Sequence, residues 1–180
     1  MADFLSNLLG AVSLSVTDLM EEATQETLGV GGQAAGALVL LALRPRMNIK
    51  RLAERLRLSH PGTVRLTDKL VLCGWVERKT DADDRRTVRL SLTAAGLEQI
   101  DRVRQARGQH LAKLLDGFSA SERAALEPLL VVLMKRLTVD AISAYANCRL
   151  CDTPACQAAG CPVDAKVRSL FAHAEANPFS

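Results

Sequence analysis

The chain has 180 residues, 48% hydrophobic but only 3% aromatic, with a formal net charge of +3. That length supports one core, or a core with an extension, and an apolar mass made of Leu, Ala and Val favours helices over a β-sandwich. No apolar run is long enough to cross a bilayer, and "MADFLSNLLG" lacks the basic n-region of a secretory leader, so no membrane partner and a cytoplasmic location are expected.

Charge is unevenly spread. Residues 1–43 carry five acidic side chains and no Lys or Arg, whereas residues 44–89 carry thirteen Lys and Arg against six Asp and Glu. A basic block in a nearly neutral chain is the footprint of a polyanion partner, although it is also what a solvated charged face looks like. Three scattered histidines, no nucleophile–base pattern and no Gly-rich phosphate loop speak against an enzyme.

The first segment, from Asp3 to Thr27, places Phe4, Leu5, Leu8, Leu9, Val12, Val16, Leu19 and Met20 at helical spacing. Its apolar stripe is too wide for a small domain's own core and asks for a further partner surface. After "GVGG", "QAAGALVLLAL" is apolar nearly all round and predicts a central helix ended by Pro45. Asn48 caps a third helix with Ile49, Leu52, Ala53 and Leu56 on one face. Ser59 caps a fourth with Pro61 in its first turn, Leu66, Leu70 and Val71 inward, and Gly74 as its stop. Two short helices joined by "LSHP" predict a helix-turn-helix. In "TVRLSL", Val88, Leu90 and Leu92 alternate with polar residues as in a strand, and "TDADDRR" suits a hairpin tip, so the expected unit is a winged helix. Thr93 caps a long helix whose apolar face is interrupted by Arg107. The capping-box pattern at Ser119 to Glu122 opens another, with apolar positions running on to Ile142, and a short helix is expected from Ala165 to Ala174. The expected fold is mainly α with a small β-wing, divided into a first helix (1–30), a winged helix-turn-helix (31–96), two long helices (97–147) and a Cys-rich extension (148–180).

On the fourth helix, His60, Gly62, Val64, Arg65, Asp68 and Lys69 face away from Leu66 and Leu70. If the helix enters a major groove, Arg65 suits a bidentate base contact; a phosphate contact or a surface ion pair remains open for it. Ser59, Thr63 and Lys69 suit phosphates, and Gly62 permits close backbone approach. Near the chain's end, Cys148, Cys151, Cys156 and Cys161 form C-x2-C-x4-C-x4-C. A reducing compartment argues for thiolate–metal bonding over disulfides, and four such ligands suit tetrahedral zinc. The spacing is similar to a zinc knuckle with Cys156 in the His position, though it lacks the knuckle's inner glycines. An iron–sulfur cluster or a thiol redox switch is the alternative, and Pro162 after the last cysteine is similar to ferredoxin-type ligation. A site of three cysteines and His173 would need the chain to fold back. Arg149 and Asp152 are placed to tune the centre, which is either structural or sensory. Cys73, ending an apolar helix, is expected to be a packed thiol.

Residues 63–96 resemble the MarR family of bacterial winged-helix regulators. The resemblance rests on Arg65-Leu66, Asp68-Lys69-Leu70, Gly74-Trp75-Val76-Glu77-Arg78, Asp84-Arg85-Arg86 and Leu90-Ser91-Leu92-Thr93 with Gly96. In layout it extends over about residues 1–145; the Cys-rich stretch lies outside the general pattern. The resemblance implies a transcriptional regulator, most often a repressor, that binds double-stranded DNA at a pseudo-palindromic site as a homodimer and is released by a small, often aromatic, effector. It implies a wing arginine, Arg85 or Arg86, in the minor groove, with Asp84 or Asp81 bracing the wing. The absence of Cys from the first 72 residues departs from the family's peroxide-sensing branch. A metal-binding protein-interaction module is the alternative of another class, and the basic block argues against it.

Overall fold

The computed structural model describes residues 3–81 and 86–171. In chain order these form α1 (Phe4–Leu28), α2 (Gly32–Leu43), α3 (Ile49–Leu56), α4 (His60–Leu72), β1 (Val76–Thr80), β2 (Val88–Leu92), α5 (Ala94–Leu115), α6 (Ala120–Leu137), α7 (Ala141–Cys148), α8 (Thr153–Ala158) and α9 (Pro162–Phe171). Among the described residues no single helix is long and apolar enough to cross a membrane.

The segment that is apolar on every side sits at the centre. Every residue of α2 from Ala34 to Leu41 is buried, and α1, α3, α4, α5 and β2 pack around it. Each fully buried Leu here contributes about 1.5–3 kcal/mol of transfer free energy. Around α2, α3 buries Leu52, Ala53 and Leu56 on one face, capped by the Asn48 side chain accepting from the Arg51 amide at 2.9 Å. The turn between α3 and α4 passes through Arg57 at φ 55°, a left-handed conformation that glycine would adopt without strain. Ser59 then caps α4, with its oxygen accepting from the Gly62 amide at 3.2 Å.

Gly74, at φ 74°, stops α4 and leads into the antiparallel pair β1–β2, in which Val76 faces Leu92 and Thr80 faces Val88. Leu90 is fully buried, while Val88 is exposed where the alternation predicted an inward residue. Met47 extends the sheet by one bridge, its carbonyl accepting from the Leu90 amide at 2.8 Å.

The junction into α5 explains the glycine at position 96. Thr93 accepts from the Gly96 amide at 3.1 Å, donates its hydroxyl to the Gly74 carbonyl at 2.7 Å, and sends its own amide to the Trp75 carbonyl at 3.0 Å. A Cβ at Gly96 would lie 2.1 Å from that Trp75 oxygen.

The C-terminal third differs from the sequence expectation. The last long helix was expected to continue through Ile142, but the chain breaks after Leu137. Asp140 accepts from the Ser143 amide at 2.6 Å, and the Ser143 hydroxyl oxygen accepts from the amides of Val139 and Asp140, each at 2.9 Å. Side chains that satisfy backbone donors locally end one helix and start α7. A further helix, α8, lies inside the cysteine run, and α9 begins at Pro162 rather than Ala165. α7 packs against α3, and α9 packs against α6 and α7. Tyr145 of α7 is part of the main core, so the extension is continuous with the winged domain rather than beginning afresh at Cys148.

Replacement of Gly96 by Ala is expected to lower stability by about 1–3 kcal/mol, because backbone must move to admit the methyl group. Gly108→Ala on α5, where a Cβ meets nothing within 4 Å, is expected to raise it by about 0.5–1 kcal/mol. Urea midpoints of the two variants should therefore shift in opposite directions.

Candidate nucleic-acid interface and cysteine centre

The exposed face of α4 carries most of the residues singled out for contacts. Ser59, His60, Arg65 and Lys69 are exposed, and Gly62 and Val64 are half-buried. Thr63 is not on that face. It is fully buried, and its hydroxyl donates to the Ser59 carbonyl at 3.0 Å. Thr63, Thr67 and Leu70 form the inward stripe, so a threonine assigned to phosphate contact is a packing residue. Gly62 has a local reason as well: a Cβ there would stand 3.0 Å from the capping Ser59 oxygen. Asp68 pairs with Arg78 of β1 at 2.7 Å and ties α4 to the wing.

At the wing's base Asp81 is buried and accepts from Arg89 Nε, with Arg46 Nη2 at 3.7 Å. Its amide donates to the Thr87 carbonyl at 2.8 Å, closing the hairpin. Asp81 is thus a brace of the wing. The other candidate brace, Asp84, and the wing residue Arg85 lie outside the described residues, whereas Arg86 is exposed at the turn into β2.

The four C-terminal cysteines come together. Cys148 at the end of α7, Cys151, Cys156 on α8 and Cys161 before α9 all line one cavity of about 100 Å³, together with Leu43 and Arg44 from the end of α2. Cys151 Sγ and Cys156 Sγ are 3.4 Å apart, too far for a disulfide bond, and all four cysteines are free thiols. Cys151 is drawn down to about 6, first because the Cys148 thiol hydrogen-bonds to it, with Cys156 and the positive Arg107 acting in the same sense against burial. Cys148 is pushed up by that same bond and by burial. Cys156 is pushed up to about 12 by burial and then by Cys151. Among the described residues no group of three or more His, Cys, Asp or Glu side chains is already set as a metal cage.

Arg107, the interruption in the α5 apolar face, is half-buried, and its positive charge favours the Cys151 thiolate. Its Nε is buried with no hydrogen-bond partner among the described residues. Cys73 lies elsewhere: it is exposed at the end of α4, against the expectation of a packed thiol. His173 is outside the described residues.

A model of the MarR family matches residues 28–87, the span from the end of α1 into the wing. The regulator PapX of Escherichia coli is 25% identical over 139 residues, covering 74% of this chain and 82% of that protein. The transcriptional repressor MprA of Escherichia coli K12 is 33% identical over 79 residues, covering 44% of this chain and 45% of its own. Wild-type apo MarR from Escherichia coli superposes with a TM-score of 0.65 at 26% identity, covering 74% of this chain and 98% of that one. These matches support reading the chain as a MarR-family winged-helix transcriptional regulator.

It has the winged-helix fold of that group, whose members are transcriptional regulators and not enzymes. The fold alone is shared with a point mutant of MepR from Staphylococcus aureus bound to an oligodeoxyribonucleotide, at TM-score 0.56 and 17% identity over 76% of this chain and 99% of that one. The cysteine run lies beyond the residues matched by the family model. Three residues that join it to the winged domain escaped the sequence reading: Arg44, Arg55 and Tyr145. The available signal was the chain's single tyrosine, three positions before the first of the four cysteines.

Removal of the wing brace in Asp81→Ala is expected to leave Arg89 and Arg46 without their shared carboxylate. Hydrogen exchange at the residue 81 amide, which donates to the Thr87 carbonyl, should speed up, corresponding to a local loss of about 1–3 kcal/mol. Exchange in α2 should be unchanged.

Proposed function

We propose that this MarR-family regulator is a homodimeric repressor reading a pseudo-palindromic duplex, with its four C-terminal cysteines holding one zinc ion. The observation that carries the DNA reading is the exposed basic face of α4, with Arg65 and Lys69, beside a wing braced by Asp81 and carrying Arg86. Arg65 on this reading contacts a base edge, whereas Lys69 and Ser59 contact phosphates and Arg86 follows the minor groove.

Pairing of two chains is supported by unpartnered apolar surface. Among the described residues α6 has none buried; Leu129, Leu130, Val132 and Leu137 are exposed on it, as are Phe4, Leu5, Leu8 and Leu9 on α1. Surface of this kind is expected to be covered in an isologous dimer. Two wings on a two-fold axis then match two half-sites. The release signal on this reading is a small aromatic molecule or a change at the metal.

Zinc is supported by the donor set. Four thiolates about 2.3 Å from a tetrahedral zinc stand about 3.8 Å from one another, close to the 3.4 Å between Cys151 and Cys156. Cysteine turns about one side-chain bond, so bringing four thiols to one cavity meets most of the requirement. A tetrathiolate centre is anionic, and the unpaired Arg107 Nε and the cavity-lining Arg44 supply positive charge beside it. Bound zinc would cross-link α7, α8 and the start of α9.

Two expected outcomes check the two halves of this reading. Arg86→Ala should weaken binding to many duplexes alike and reduce the salt slope by about 1, whereas Arg65→Ala should relax preference at one base pair at a cost of about 1–3 kcal/mol. Protein purified anaerobically should carry one zinc per chain and be colourless, with the metal lost in Cys151→Ser. Visible absorption with bound iron would assign the centre to an iron–sulfur cluster instead.

A further inference from the structure

We infer that the cysteine centre sets the DNA affinity of the winged domain through Tyr145, which carries the state of the centre to α3 and the wing. The inference rests on the metal reading above. Tyr145 and Cys148 lie three residues apart on α7, on one face of the helix. Although α7 belongs to the C-terminal third, the Tyr145 ring is only 3% exposed and packs in the main core. Arg44 Nε donates to its hydroxyl at 3.1 Å, and the Arg55 guanidinium carbon stands 3.9 Å from its ring centroid.

Both arginines reach onward. Arg44 closes α2 and also lines the cysteine cavity. Arg55, on α3, donates to Met47 Sδ at 3.4 Å, and the Met47 carbonyl accepts from the Leu90 amide of β2 at 2.8 Å. One unbroken series of contacts therefore runs from the thiols to the first helix of the helix-turn-helix and to a wing strand. α3 in turn packs on α4, which presents Arg65 and Lys69.

The helices that carry Tyr145 and two of the cysteines, α7 and α8, are short. α7 has eight residues, and α8 has six with no side-chain hydrogen bond at its N-cap. Helices of this length are held by tertiary contacts and not by their own propensity. A metal bound to Cys148, Cys151, Cys156 and Cys161 would clamp the end of α7 to α8 and α9. Without it, the segment after Tyr145 loses its cross-link, and the ring's hold on Arg44 and Arg55 loosens. The metal-loaded form is the tighter DNA binder.

The test uses the full chain and a duplex selected by it from a random-sequence pool. Affinity is read by fluorescence anisotropy, metal content by elemental analysis and helicity by circular dichroism. Removal of the metal from the wild-type protein with a chelator should weaken duplex binding about tenfold, within the usual range of coupling between two sites. Tyr145→Leu should keep one metal per chain, bind as weakly as the metal-free wild type, and change little on chelation. Tyr145→Phe keeps the buried ring and removes the hydroxyl that accepts from Arg44; it should fold and show a smaller metal-dependent difference than wild type. Equal affinities of metal-loaded and metal-free wild type overturn the coupling while leaving the metal site intact, as does an undiminished difference in Tyr145→Phe. A wild-type chain that takes up no metal overturns the metal reading and this inference with it.

Discussion

A helix with no polar side can persist in water only if other elements enclose it, and α2 imposes that requirement on the whole chain. Its residues from Ala34 to Leu41 are buried beneath α1, α3, α4, α5 and β2. The helix-turn-helix and the wing are therefore two walls of one enclosure and not free-standing motifs. Burial on this scale carries the main favourable free energy of folding, set against the entropy of ordering the chain. It leaves the outer faces of α4 and the wing free to carry charge without cost to the core.

The sequence was most legible where a single residue type answers a local backbone need. Asn48, Ser59, Thr93 and Ser119 each cap the helix they were expected to cap, because a short oxygen-bearing side chain just before an apolar run has one favourable use. The alternation of Leu90 and Leu92 with polar neighbours gave the strand and, with the helices before it, the winged architecture. Legibility failed where tertiary contacts decide. Thr63 reads as a polar residue on a DNA-facing helix, yet its hydroxyl is satisfied within its own turn and its methyl group packs inward. Cys73 reads as a packed thiol, yet α4 ends before the core reaches it. The break between α6 and α7 turns on Asp140 and Ser143, whose bonding to nearby amides overrides an apolar periodicity that runs straight through.

The cysteine run was visible from its spacing, but its setting was not. The run looked like an addition to the long C-terminal helices, because nothing in the spacing indicates which surface α7 will choose. Tyr145 decides it, by filling a place in the core between Arg44 and Arg55. Arg107 shows the same limitation from the other side. In sequence it was only an interruption of a stripe; in the folded chain it is half-buried, with its Nε out of water and its positive charge acting on Cys151. A buried guanidinium nitrogen without a hydrogen-bond partner is costly, and an anionic neighbour is the usual compensation.

Gly36 carries a consequence for how this chain relates to shorter versions of its fold. It is the buried glycine of the central helix, and a Cβ there would stand 3.2 Å from Leu56 and 3.6 Å from the Arg149 side chain. The C-terminal segment is thus inlaid in the helix that organises the domain, and the two surfaces have been shaped to each other. A chain trimmed before α7 would not be a smaller regulator with its accessory removed. It would have an open seam along α2 and a vacant aromatic berth beside Arg55, so the tail is not a module in the sense of a part that one fold could lend to another.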